Sequence, residues 1–176
     1  MSDAALQSPF DALRKSFVLS EQPQPQQAVA TTDKRVRGHA FSIGTFHLVV
    51  DTVRYPCEVY EELPLCRLPG SPAHLAGMAN QRGNIVPIFD IHTLLGYRQE
   101  GGHDYYLIIG SRDDAVGFRI SQLPRRIELA PEERITTALP IPRLLEPHIR
   151  QFFQQNEQIF ADWDVQGFLA SLASEA

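Results

Sequence analysis

The residues of this sequence that could hold a metal ion or move a proton are six histidines, two cysteines and several carboxylate pairs. No set of histidines, cysteines and carboxylates shows the paired short spacings of a zinc site. Adjacent acids such as Glu61–Glu62 point in different directions along a strand or helix, so they make poor acid–base pairs. Asp162 and Asp164 could share one strand face, but a single pair is weak support for hydrolysis. The sequence therefore predicts no metal site.

The motifs of nucleotide and acyl-transfer chemistry are also missing from the sequence. It contains no glycine-rich phosphate loop and no Gly-x-Ser-x-Gly nucleophile turn. We therefore expect a protein that is not an enzyme and holds no cofactor. Cys57 and Cys66 are the only cysteines. In a chain without a signal peptide they are expected to be reduced thiols, with a disulfide between them as the alternative.

The composition is that of an ordinary globular protein, with 43% hydrophobic and 21% charged residues among 176. A formal charge of −5 argues against a nucleic-acid binder, which needs a basic face to neutralise phosphates. The basic runs at 34–37 and 124–126 are too short to follow a nucleic-acid backbone. No apolar run approaches the ~20 residues of a membrane span, and the N-terminus does not resemble a secretory signal. We expect a cytoplasmic protein without direct membrane insertion.

The chain divides into two predicted regions. Residues 1–33 are predicted to form an N-terminal helix and a flexible linker, because a Ser-Pro start suits a helix and residues 20–33 are polar and proline-bearing. The apolar residues on one face of that helix are Phe10, Leu13 and Phe17. Residues 34–176 are predicted to form the folded domain.

Short apolar or alternating runs, separated by turn residues, fill the chain from about Gly38 onward. Short strands at such regular spacing predict a mainly β fold built as barrels or a sandwich. We find no tandem repeat at a fixed period. The predicted strands are 39–43, 45–52, 56–60, 76–79, 84–89, 104–110, 115–120, 125–129, 149–153 and 158–162.

The centre of the chain contains two predicted short helices and a tight turn. Ser71 is expected to cap a single helical turn that closes at Gly77, and Asp90 is expected to cap a second helix over 91–95. Arg82–Gly83 is predicted to be a tight turn that needs a positive φ at the glycine. Pro87 lacks an N–H, so its strand is expected to be an edge strand or to be bulged there.

The segment from Leu68 to Gly96 closely resembles the signature of the CheW family of chemosensory adaptors. In the family this signature runs approximately LPGxPxxxxGxxNLRGxvvPvxDLxxxLG. The residues that match it are Leu68-Pro69-Gly70-Ser71-Pro72, Gly77, Asn80-Gln81-Arg82-Gly83, Ile85-Val86-Pro87-Ile88-Phe89-Asp90 and Leu95-Gly96. Further similarity, at 57–59, 106–118 and 160–169, extends the resemblance over about residues 38–170.

This resemblance implies a fold and a function. The implied fold is mainly β, with two intertwined five-stranded SH3-like barrels. The implied function is a non-enzymatic adaptor that couples methyl-accepting chemoreceptors to a CheA-like histidine kinase. It binds the regulatory domain of the kinase and the cytoplasmic tip of the receptor, at membrane-associated receptor arrays. The Ser-Pro-Phe helix and the run 145–150 are most like adaptors of type IV pilus (twitching) systems.

The resemblance also implies which residues bind partners. These residues are Glu58, Val59, Asn80, Gln81, Arg82, Gly83 and Asn84. The family pattern places the acid and the arginine close together on the first barrel, either as a receptor contact or as an internal salt bridge that fixes the turn, and both readings stay open.

The sequence departs from the family pattern in three places. Gln81 replaces the turn leucine, Arg119 replaces an apolar residue and Ser121 replaces an acid. A charge at Arg119 must be exposed or paired. The alternative function is a small ligand-binding or enzymatic β-barrel, which requires a concave pocket with convergent polar groups.

Overall fold

The computed structural model describes residues 35–98, 103–136 and 139–174. The helix and linker predicted for residues 1–33 lie outside the described residues. The described chain is mainly β, as the sequence predicts. Its strands are β1 (Val36–Ile43), β2 (Phe46–Asp51), β3 (Cys57–Tyr60), β4 (Leu65–Cys66), β5 (Leu75–Gln81), β6 (Asn84–Asp90), β7 (Tyr105–Ile109), β8 (Val116–Ile120), β9 (Arg125–Leu129), β10 (Arg134–Ile135), β11 (Ile149–Gln155) and β12 (Gln158–Trp163). Its α-helices are α1 (Ile91–Leu94) and α2 (Val165–Ser174), and its 3-10 turns are Arg112–Asp114, Pro131–Glu133 and Glu146–His148.

The strands form two six-stranded sheets with the same layout. The first sheet has the order β3-β7-β8-β6-β5-β4, and the second has the order β9-β1-β2-β12-β11-β10. In each sheet one central pair is parallel, β6 with β8 and β12 with β2, and the other pairs are antiparallel. All ten predicted strands are present. The strands β4 and β10 were not predicted, because two residues are too few to show an alternating pattern.

Each sheet curls so that one edge strand contacts the strand next to the opposite edge. In the first sheet Gln81 on β5 donates a hydrogen bond to Glu58 on β3, although three strands separate β5 from β3 in the sheet order. In the second sheet Gln155 on β11 donates to the backbone carbonyl of Glu128 on β9 at 3.2 Å. The two sheets therefore have the barrel-like curvature expected from the sequence.

The two sheets share one large apolar core. The shared core contains Phe41 and Leu48 from the second sheet and Leu107 and Phe118 from the first, with Trp163 fully buried among them. Each sheet also encloses a smaller apolar cluster of its own. The chain enters the second sheet with β1 and β2, builds the whole first sheet with β3 to β8, and then returns.

A hairpin followed by a helix occurs twice, first as β5–β6–α1 and again as β11–β12–α2. Counterpart residues lie 74 positions apart, as His148 does from His74 and Asp164 from Asp90. In both copies the histidine carbonyl accepts the aspartate N–H, at 2.8 and 2.7 Å, and the first strand has its bulge at the same place. The sequence itself shows no tandem repeat at a fixed period, since the two copies share few side chains.

The local predictions around β5 and β6 have mixed outcomes. The helical turn predicted over 71–77 is reduced to one hydrogen-bonded turn, in which the N–H of Leu75 donates to the carbonyl of Pro72 at 3.0 Å, because β5 already begins at Leu75. Ser71 does not cap it, since its hydroxyl donates to the carbonyl of Leu68 at 2.9 Å. The helix capped by Asp90 is confirmed, since the side chain of Asp90 accepts the N–H of Thr93 at 3.0 Å.

Pro87 lies inside a central strand, yet at a point where only one neighbour is paired. On one side it lies opposite Met78 of β5. On the other side the pairing of β6 with β8 begins only at Ile88. The missing N–H of Pro87 therefore interrupts no pairing with β8, and the predicted edge character is local rather than a property of the whole strand.

Candidate functional site

The side chains of Glu58 and Arg82 form a two-pronged ion pair on the first sheet. Glu58 is carried by β3, and Arg82 lies in the turn between β5 and β6. One guanidinium nitrogen of Arg82 lies 3.0 Å from Oε1 of Glu58, and the other donates to Oε2 at 3.1 Å. Such paired geometry fixes the arginine relative to the carboxylate more tightly than a single contact would.

The turn that carries Arg82 is built by its neighbours in the sequence. Arg82 and Gly83 have φ values of 52° and 90°, the sign that a type I′ hairpin turn requires at both central residues. The side chain of Asn80 accepts the N–H of Gly83 at 2.9 Å and closes the turn. The positive φ predicted for Gly83 is confirmed, and Arg82 shares it.

Two further side chains hold Glu58 in place. The hydroxyl of Tyr60 donates to Oε2 of Glu58 at 2.6 Å, and Gln81 donates to both at 3.2 and 3.1 Å. The Tyr60 hydrogen bond, followed by the charge of Arg82, holds the pKa of Glu58 below its usual value. The carboxylate is therefore ionised at neutral pH. Gln81, a departure from the family pattern, takes part in this cluster, whereas Tyr60 was not predicted.

The exposure of the Glu58–Arg82 pair bears on its two interpretations, a receptor contact or an internal salt bridge. The side chain of Arg82 is 74% exposed and that of Glu58 is 41% exposed. A pair this exposed is accessible to a partner and contributes little to stability. The pair is a salt bridge within the chain, as the second interpretation requires, and its exposure also suits the first, so both interpretations stay open.

The structure does not bring all predicted partner-binding residues to one surface. Val59 is partly buried and packs against the shared core. Asn84 lies opposite Gln81 at the end of the hairpin and is half-buried. Ile85, opposite Asn80, is 62% exposed and adds an apolar side chain to the outer face of the hairpin. Its exposure follows from strand alternation, since Val86 is buried.

Arg119, the second departure from the family pattern, is paired. Its guanidinium forms an ion pair with the buried carboxylate of Asp90 and a longer contact of 3.5 Å with Asp104. Burial would raise the pKa of Asp90, but the backbone N–H of Thr93 and the charge of Arg119 together hold it below its usual value. Ser121, the third departure, lies 3.2 Å from Nε2 of the buried His92.

The described parts of the chain show no metal-binding cluster and no disulfide. Within residues 35–98, 103–136 and 139–174 no group of three histidines, cysteines or acids could hold a metal ion. Both cysteines are free, and burial raises the pKa of the Cys57 thiol to about 11. None of the helices in these same ranges is long and apolar enough to cross a membrane.

Comparison with known proteins gives one consistent result. A family model described as the CheW-like domain matches residues 35–173. The chain is 27% identical over 90 residues to the "Chemotaxis protein CheW" of Helicobacter pylori, a match that covers 50% of this chain and 52% of that protein. The matched region thus spans about half the length of this curated relative.

A solved structure shows the same fold. The crystal structure of the scaffolding protein TtCheW from Thermoanaerobacter tengcongensis superposes with a TM-score of 0.61 at 15% identity. The match covers 74% of this chain and 89% of that chain.

Proposed function

Because the chain belongs to the CheW-like domain family, we propose that it is a non-enzymatic adaptor in chemosensory signal transduction. It couples methyl-accepting chemoreceptors to a CheA-type histidine kinase, and it works in the cytoplasm at membrane-associated receptor arrays. The names of the matched proteins, a chemotaxis protein and a scaffolding protein, support this proposal.

The observation that carries the proposal is the exposed cluster formed by Glu58, Gln81 and Arg82. The side chain of Arg82 is 74% exposed, while the carboxylate of Glu58, held by Tyr60, and the turn fix its position. An ordered charge at a surface contributes more to specificity between partners than to affinity. Ile85 lies beside the cluster and supplies apolar area for contact. We propose that this face binds the receptor tip, and that a separate barrel end binds the kinase regulatory domain.

A pair of arginine variants tests this assignment. Arg82→Ala is compared with Arg143→Ala, an exposed arginine far from the cluster in the sequence. Binding to the isolated kinase regulatory domain and to receptor cytoplasmic fragments is measured by pull-down and calorimetry. We expect Arg82→Ala alone to weaken receptor binding about tenfold, with kinase binding unchanged. Equal receptor binding by both variants would remove the cluster from the receptor interface.

The wider proposal is tested by co-purification from native lysate. We expect a chemosensory histidine kinase to be recovered with the full chain. We also propose that the system controls type IV pili, because of the Ser-Pro-Phe segment and the run 145–150. Loss of twitching with normal swimming in a deletion strain is the result expected for that subtype. Recovery of no kinase would count against the adaptor function itself.

A further inference from the structure

The second sheet contains a cleft that the proposed function does not use. It has a volume of about 250 Å³ and lies between the β1–β2 hairpin, the segment that leads into β9 and the start of β12. Leu123, 55% exposed, contributes an apolar wall. The polar side chains that line the cleft are Ser42, His47, Gln122, Arg125 and Gln158.

Among residues 35–98, 103–136 and 139–174, no carboxylate neutralises the charge of Arg125. Its guanidinium lies over the ring of Phe160, 5.2 Å from the ring centre, and donates a hydrogen bond to the side-chain oxygen of Gln158. No carboxylate of the described residues lies within ion-pairing distance of Arg125, in contrast with Arg82 and Arg119. One neutral amide satisfies only part of a guanidinium that has five N–H donors. The cleft therefore offers an anchored positive charge with donors to spare.

His47 lies beside Arg125 in the cleft, and its contacts indicate which ring nitrogen carries the proton. Its ring stacks on Phe160 at 5.0 Å, and its Nδ1 lies 3.1 Å from Oγ of Ser42. With the hydroxyl proton of Ser42 donated to the side-chain oxygen of Gln122 at 3.1 Å, Nδ1 of His47 is the donor to Ser42. Nε2 is then the nitrogen that gains a proton when His47 becomes charged.

We propose that this cleft binds a carboxylate group, which pairs with Arg125 while His47 takes up one proton from solvent. The carboxylate comes either from a small metabolite or from an acidic side chain of a protein partner. The inference goes beyond the proposed function, because it concerns the second sheet rather than the Glu58 cluster.

The coupling between binding and protonation follows from the charges around His47. Burial, and then the positive charge of Arg125, hold the pKa of His47 below its ordinary value. Of the described residues that line the cleft, Arg125 is the only charged one. A bound carboxylate offsets that charge and so raises the pKa of His47. Affinity therefore increases as the pH falls from the pKa of the complex to the pKa of the free protein.

Nuclear magnetic resonance of the full chain tests the proposal. The ring signals of His47 are followed against pH with sodium acetate and with sodium chloride at equal ionic strength. We expect acetate, but not chloride, to raise the pKa of His47, and acetate to bind about tenfold more tightly near pH 5.5 than near pH 8. Arg125→Gln is expected to weaken acetate binding about tenfold or more, whereas Arg143→Gln leaves it unchanged. His47→Gln is expected to keep binding and lose its pH dependence.

Two peptides and one dicarboxylate distinguish the sources of the carboxylate. Acetyl-Leu-Glu-Leu-amide binding more tightly than acetate and succinate supports a protein side chain, since the leucines can cover Leu123. Equal or tighter binding of succinate supports a small metabolite. The proposal is overturned if acetate leaves the pKa of His47 unchanged, if Arg125→Gln binds acetate like the wild type, or if the peptide with Gln in place of Glu binds equally well.

Discussion

The two hairpins of the repeat have matching backbones, but one buries an apolar side chain where the other buries an acid. In β6 the position of Ile88 is fully buried and packs with apolar neighbours of the first sheet. Its counterpart 74 positions later is Asp162, which is also fully buried. Asp162 is held by Arg54 at 3.3 Å and by Arg150 at 3.8 Å. The fold therefore tolerates a buried carboxylate at this position only where arginines reach it.

The turns of the two hairpins also share a backbone conformation and differ in their side chains. Both turns have two central residues of positive φ, Arg82–Gly83 in the first and Asn156–Glu157 in the second. Only the first turn places a cation against a carboxylate on the neighbouring end of its sheet. The backbone fixes where a turn residue can project, and the side chain then decides whether that point carries an ordered charge.

The largest effect is expected from making the first hairpin resemble the second. Ile88→Asp would bury a carboxylate that no arginine reaches, so we expect a loss of more than about 4 kcal/mol and unfolding of the first sheet. Denaturant unfolding followed by circular dichroism measures it. Ile85→Asp is the matched control, because that side chain is exposed on the same strand, and its effect should stay within about 0.5 kcal/mol. A folded Ile88→Asp protein that loses only kinase binding would place Ile88 on an interface instead.

An intermediate effect is expected from neutralising the two buried acids. Asp90→Asn weakens the pair with Arg119 and should cost roughly 1–3 kcal/mol at neutral pH. Asp162→Asn should be neutral or stabilising, because burial raises the pKa of Asp162 and its ionised form is disfavoured in the fold. Thermal unfolding at neutral pH separates these signs. A larger loss for Asp162→Asn than for Asp90→Asn would contradict the comparison.

The pH dependence of these two acids should also differ. The pKa of Asp90 is lowered, so its contribution is present above the unfolded value of about 3.9 and is lost as the pH falls through the folded value. The pKa of Asp162 is raised, so its ionised form lowers stability at neutral pH, and this loss is relieved as the pH falls toward about 3.9. As the pH is lowered from neutrality, the stability advantage of Asp162→Asn over the wild type should therefore shrink before about pH 4 is reached. The stability deficit of Asp90→Asn should shrink only below about pH 4. Unfolding free energies measured across this range test both windows.

A small effect is expected at the exposed pair. Arg82→Ala should cost on the order of 0–1 kcal/mol, because both partners are solvated. In a domain of this size the melting temperature should then fall by at most about 2–4 °C. A much larger drop, with receptor and kinase binding lost together, would show that the turn depends on the pair for its structure.

The smallest effect on stability is expected from removing residues 1–33. The sequence predicts that this segment lies outside the folded domain, so the melting temperature should change by less than about 2 °C. If the face with Phe10, Leu13 and Phe17 docks a partner, one interaction should weaken selectively. Loss of the thermal transition on truncation would assign the segment to the core.

Strands and turn chemistry were predictable from sequence because they follow from local patterns. The strand 125–129 was predicted with its observed limits, and the helix capped by Asp90 was predicted with its cap. The pairing of Glu58 with Arg82 was anticipated only through the family resemblance, since nothing local connects residues 24 positions apart. Tyr60 was missed because a tyrosine on a strand reads as packing. The burial of Asp162 was missed because an aspartate on a strand is normally expected to be exposed.

By itself, the sequence determined the mainly β class, the sites of the strands and the tight turn at Arg82–Gly83. These follow from side-chain alternation, from glycine and proline, and from capping residues, which act within a few residues of the chain. Only the tertiary structure decided that the Glu58–Arg82 pair is exposed, that Asp162 is buried between two arginines, and that Arg125 faces a cleft without a carboxylate. Burial and charge compensation depend on which distant strands become neighbours, and the curling of the two sheets sets those neighbours.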